Sequence, residues 1–176
     1  MKTLVRVIVA VAVVGGGPVS ARAAAPDAAG MLDQAHRLFY SGEYEEAAAL
    51  ALAVRLEDRG DLAASELRTS ALHFAIRRAL GPLDAARGKP ADNRERAWKA
   101  CARCPVLLAE FQEELHLGRT EARARLKQSP ADVEALFFLG KLNLNHVWFQ
   151  LGTLGRRTGW NEYWEARRSL DAAFGL

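Results

Sequence analysis

The placing of helix breakers constrains this chain more than any other feature. Between Ala28 and Ala173, runs in which apolar side chains return every third or fourth residue are cut at Ser41-Gly42, Gly81-Pro82, Pro105, Ser129-Pro130 and a glycine-rich stretch from Gly152 to Gly159. In the first run Met31, Leu32, Ala35, Leu38 and Phe39 fall on one face of a 3.6-residue period. A turn as short as Ser41-Gly42 makes the helices on either side of it antiparallel neighbours. Gly42 is free to take positive φ at a helix end, and Glu43, Glu45 and Glu46 suit the positive N-terminal end of the next helix.

The same reading predicts helices over Ala28–Tyr40, Tyr44–Glu57 and Leu62–Leu80, the last with Leu67, Ala71, Phe74, Ala75 and Ala79 at helical spacing. A long loop is expected from Gly81 to Asn93, then helices over Arg94–Cys104, Val106–Leu117, Arg119–Gln128, Val133–Leu151 and Asn161–Ala173. Alanine and leucine dominate and β-branched residues are sparse after the first segment, a composition that loses little rotamer freedom in helices. The expected fold class is therefore all-α.

The first segment has a different character. Lys2 and Arg6 precede an unbroken apolar run from Val7 to Val14, Gly15-Gly16-Gly17-Pro18 breaks it, and Ala21-Arg22-Ala23 places small residues two apart. That order is the layout of an export signal. The run is far shorter than the roughly 20 residues needed to span a bilayer, so no permanent membrane anchor is expected. Pro26 would hinder a cut after Ala25, so the expected cleavage lies between Ala23 and Ala24, leaving 24–176 as one helical domain in the periplasm or secreted. No cysteine near the cut indicates a lipid anchor. The leader holds Lys2, Arg6 and Arg22 and no acid, so it accounts for the whole excess of 24 basic over 21 acidic residues. A formally neutral remainder speaks against nucleic acid as a partner, because phosphate binding calls for a basic surface.

Gly42-Glu43-Tyr44-Glu45-Glu46-Ala47 resembles the turn of a tetratricopeptide repeat, and Ser129-Pro130-Ala131-Asp132 through Leu139-Gly140 resembles the junction between two such repeats, with Pro130 and Gly140 ten apart. The segment 134–170 is also similar to a group of exported bacterial tetratricopeptide-repeat proteins, which carries over no activity. The resemblance implies antiparallel helix hairpins stacked as a short right-handed solenoid, with three or four units of about 34 residues and the clearest repeats at about 28–57 and 130–174. Residues 62–128 depart from the pattern. It also implies a concave groove that holds peptides, lined by Leu32, His36, Phe39 and Tyr40 from the first repeat and by Glu134, Phe137, Lys141, Asn145 and Trp148 from the last. Leu144 would point the same way. Because a terminal repeat normally needs a polar cap, an exposed apolar end is expected on the last helix, where a second subunit could pair.

The residues themselves leave several readings open. Glu134, Lys141 and Asn145 lie within about 40° of one another on a helix, and Asn143, His146 and Gln150 cluster on the opposite side. The aromatics near the first stripe are either groove or core; the second stripe reads as an interior hydrogen-bond network. Cys101 and Cys104 stand three apart, and in an oxidising compartment the default is a structural disulfide, with thiol chemistry or free thiols as alternatives. Pro105 occupies the place where haem attachment needs histidine, no second cysteine pair is present for zinc, and His73, His116 and His146 are widely separated and could be recruited to a zinc site only by the fold. Arg156, Arg157, Trp160, Tyr163 and Trp164 either anchor a turn or grip an anionic or aromatic ligand. No catalytic motif, cofactor loop or metal set stands out. The expectation is an exported adaptor for a protein or peptide, with a thiol-active protein or a subunit assembling through its last helix as alternatives.

Overall fold

A computed structural model of the chain describes residues 28–81 and 90–175, with side chains from 93 onward in the second stretch. The leader and the Ala23–Ala24 cut lie outside the described residues. Among the described residues seven α-helices pack together: α1 Ala28–Ser41, α2 Tyr44–Glu57, α3 Leu62–Leu80, α4 Pro90–Ala100, α5 Cys104–Gln128, α6 Val133–Trp148 and α7 Trp160–Phe174. A single π-helical turn, Phe149–Thr153, continues α6. No strand occurs among the described residues.

The turns form where the breakers stand. Gly42 takes φ +88°, which lets the Glu43 N–H reach back to the Leu38 carbonyl at 2.9 Å and close α1. Arg78 of α3 donates to the Gly42 carbonyl at 2.6 Å, tying that turn to the end of the third helix. Aspartates start two helices: Asp61 accepts from the Ala64 N–H at 2.8 Å and Asp132 from the Ala135 N–H at 3.0 Å, each satisfying an N–H that the first turn leaves without a partner.

Three differences from the sequence reading have physical causes. Helix α4 begins at Pro90, inside the expected loop, because proline suits the first helical position, where no N–H is needed. Helix α5 runs unbroken through Gly118, where the sequence predicts a gap between two helices. A Cβ there would lie 2.9 Å from Leu142 Cδ1 and 3.2 Å from Ser65 Cβ, so this glycine makes room for α3 and α6 rather than ending α5. The α-helical part of α6 stops at Trp148, short of the expected Leu151, and the π turn Phe149–Thr153 carries the chain into the expected glycine-rich stretch.

Helix α3 is the hub: 13 of its 19 residues are buried, and it contributes to all three apolar clusters. The largest cluster joins Leu72 and Ile76 of α3 to Phe111 and Leu115 of α5, Leu142 of α6 and Phe149 of the π turn. Of the expected α3 core positions, Leu67, Ala71 and Ala75 are buried, Phe74 is partly so and Ala79 is exposed. Helix α3 touches both α1 and α6. Helices α2, α5 and α7 are linked in that order by ion pairs, Glu45 and Glu114 meeting Arg103 and Arg55 between the first two and Arg123 meeting Glu165 between the last two.

Candidate functional site

Because α3 is surrounded, its polar side chains need partners inside the protein. Glu66, Ser70, His73 and Arg77 fall within about 60° of one another along the helix. Glu66 meets Lys141 of α6 at 2.8 Å, and Asn145 of α6 donates to Glu66 at 3.2 Å and to Ser70 at 3.0 Å. His73 is buried against Thr153 of the π turn at 2.9 Å; burial, with Arg77 nearby, pushes its pKa down to about 4. On the other flank of α3, Phe74 packs edge-on against Phe39 of α1 and beside Tyr44, with ring centroids 5.5 and 5.3 Å apart. One face therefore runs across α1, α3 and α6.

The nine residues singled out for a groove take different places. Leu32 and Phe39 pack onto the cluster of Ala35, Ala51 and Leu67, and His36 is partly buried, its Nδ1 3.0 Å from the Leu32 carbonyl oxygen. Tyr40 stands out from that layer with 82% of its surface exposed, stacked edge-on to Phe39. Trp148 is 56% exposed, one stripe with Lys141 along α6. Phe137 packs against Phe138 and Phe174, with the Lys141 ammonium 5.6 Å from its ring centre. Asn145 is buried, and Glu134 is held by Arg125 at 2.6 Å at the α5–α6 corner, where Asp132 also meets Arg125. Glu66, Ser70 and Phe74, which the sequence reading does not single out for the groove, join α3 to these α1 and α6 residues.

Of the opposite stripe of α6, Asn143 enters a network with α5 and α7. Asn143 donates to Glu165 of α7 at 2.8 Å, and Glu165 accepts two bonds from Arg123 of α5, which hold its carboxyl below the usual range. His146 makes no hydrogen bond there but faces Glu162 at 3.9 Å, and burial beside Arg119 lowers its pKa. Arg119 is pushed down to about 10 by burial. Gln150 lies outside this network and accepts from Thr158 at 3.3 Å.

Cys101 and Cys104 are joined in a disulfide that spans the corner between α4 and α5, with Cys104 fully buried. The arginines and aromatics of 156–164 do not converge. Trp160, Tyr163 and Trp164 pack edge-on along α7, and the cation over the Trp164 ring is Arg167, at 5.7 Å. Arg156 instead lines a cleft of about 450 Å³ with Arg94 and Trp98 of α4. Among the described residues no group of three or more His, Cys, Asp or Glu side chains could hold a metal ion, and no helix is long and apolar enough to cross a membrane. No family model, curated protein or solved structure matches the chain.

Proposed function

We propose that this protein is an exported, non-catalytic adaptor in which α1, α3 and α6 form the inner row of a short right-handed solenoid of tetratricopeptide-repeat kind, and α2, α5 and α7 the outer row. The inner row takes up a segment of a protein or peptide partner. The observation that supports this reading is the face described above: Tyr40 and Trp148 are exposed on helices α1 and α6, over a layer fixed by Phe39–Phe74 contact and by the Glu66–Lys141–Asn145 bonds. Rigid, exposed aromatics on a fixed base are the residues that dominate binding energy at interfaces, about 2 kcal/mol or more each when they sit at its centre. In this reading His36, Tyr40, Phe74, Lys141 and Trp148 meet the partner, while Glu66, Ser70 and Asn145 hold the helices in register. The Cys101–Cys104 bridge fastens α4 to α5 and takes no part in chemistry.

The test is a Tyr40→Ala, Lys141→Ala, Trp148→Ala triple variant, checked for an unchanged far-UV spectrum and used beside the parent protein to capture partners from an envelope extract. Loss of the captured partner is expected. An unchanged set of partners on the folded variant contradicts the groove.

A second reading has its own observation. Trp160, Trp164, Arg167 and Phe174 are all exposed and fall on one side of α7, whose principal neighbour is α6. Exposed aromatics sharing one helix side mark an interaction surface, even with the Arg167–Asp171 ion pair among them. In that reading the protein is a subunit that assembles through its last helix. Sedimentation over a wide concentration range tests it: association that Trp164→Glu abolishes supports it, and a monomer throughout rules it out.

A further inference from the structure

We propose that the cleft between α4, α5 and the stretch after α6 binds a small organic carboxylate with an apolar body. It shares no residue with the groove and stands whether or not the groove reading holds. Its volume of about 450 Å³ lies within the roughly 300–1,000 Å³ of small-molecule sites. Trp98, Leu108 and Leu154 form its apolar walls and pack onto the main core, so these walls are fixed.

Two guanidinium groups, Arg94 and Arg156, line the same space, and neither has an ion-pair partner among the described residues. The carboxylate in the lining, Glu95, is engaged by Lys99 at 2.7 Å. Arg94 is partly buried, and its Nε and the Trp98 Nε1 are shut off from solvent with no hydrogen-bond partner. A cation drawn from water without a counter-charge costs free energy, and an anion entering beside it offsets that cost.

The backbone is shaped around this charge. Gly155 takes φ +65°, and a Cβ on it would lie 2.0 Å from Arg94 Nη1, so the guanidinium occupies the space where any side chain would stand. The Arg156 N–H is fixed by the Gln150 carbonyl at 2.8 Å, which sets where Arg156 leaves the chain. The Gln150 side-chain oxygen accepts from Thr158, so its amide NH₂ is the donor turned to other partners. Planar guanidinium forks match the planar carboxylate. A phosphate, with three charged oxygens, needs more donors than these apolar walls leave.

The test titrates benzoate into the purified protein and follows the indole N–H resonances by NMR, with Trp98 assigned from a Trp98→Phe variant. Benzyl alcohol and inorganic phosphate serve as comparators. Benzoate is expected to shift the Trp98 resonance saturably with a Kd of about 1 mM or tighter. Arg94→Gln and Arg156→Gln are each expected to weaken it about tenfold or more, the effect of losing a charge-assisted hydrogen bond. Arg156 is exposed, so its variant keeps the test intact if Arg94→Gln perturbs folding. No saturable shift, equal binding of benzyl alcohol, tighter binding of phosphate, or undiminished binding by the folded Arg156→Gln variant overturns the proposal.

Discussion

Substituting Gly140 by alanine is expected to destabilise the protein although alanine is the better helix former. Gly140 sits where α6 crosses α7, and an added Cβ would fall 2.5 Å from Leu170 Cγ, 2.8 Å from Leu170 Cδ2 and 3.3 Å from the Ala166 carbonyl oxygen. Carbon atoms rest about 3.5–4.0 Å apart, so Leu170 must give by about 1 Å. Rotation alone does not free it, because the Ala166 carbonyl belongs to the α7 backbone and moves only with the helix. Overpacking of this kind costs about 1–3 kcal/mol. The depth of the overlap puts it in the upper part of that range, against a propensity gain of about 1 kcal/mol for alanine over glycine. A net loss of about 1–2 kcal/mol follows, or a fall in Tm of about 2–8 °C for a domain of this size. Urea unfolding of Gly140→Ala, Leu170→Ala and the double variant measures it. The double variant should lose less than the sum of the two single losses, since the shortened Leu170 no longer meets the new methyl. A Gly140→Ala variant as stable as the parent, or additive losses, would refute close α6–α7 packing at this point.

Three further outcomes follow from the described side chains. His73 has its folded pKa lowered to about 4 from 6.5, so the native state resists protonation; stability is intact above about 6.5 and is lost as pH falls toward 4. The loss is on the order of 3 kcal/mol, and a His73→Gln variant should show a flatter urea midpoint over that window. Opening the Cys101–Cys104 bridge frees a four-residue loop and should cost about 2 kcal/mol, seen as a lower Tm in reductant that a Cys101→Ser, Cys104→Ser variant does not show. Replacing the cap of α3, Asp61→Ala, should cost about 1 kcal/mol in thermal unfolding, while Asp61→Asn stays close to the parent.

The helical class and most element limits were legible because glycine and proline act locally. Helix α1 ends at Ser41 and α5 at Gln128, where Ser41-Gly42 and Ser129-Pro130 stand, and the 3.6-residue period of α1 needs no knowledge of its neighbours. Gly118 was misread because a glycine that ends a helix and one that lets another helix approach look alike along the chain. Only Leu142 and Ser65, which meet it from α6 and α3, distinguish them. The polar stripe of Lys141 and Asn145 was visible, but its base was not. Glu66 lies 75 residues upstream of Lys141, and a glutamate on a helix reads as solvent-facing until a second helix covers it. Likewise Arg156 stood out beside Trp160 and Trp164, whereas folding sets it with Arg94 and Trp98 from a helix whose start was read as loop. Local patterns reveal where helices begin and end; long-range pairing decides which of their polar residues share a site.

The groove is tested most directly by photo-crosslinking in the native envelope, with a photoreactive amino acid placed in turn at Tyr40, at Trp148 and, as a control off this face, at Glu113 on α5. The account predicts that Tyr40 and Trp148 capture the same protein, at a yield well above the control. Crosslinks from those two positions no stronger than from Glu113, or to unrelated proteins, would contradict a shared partner-binding face.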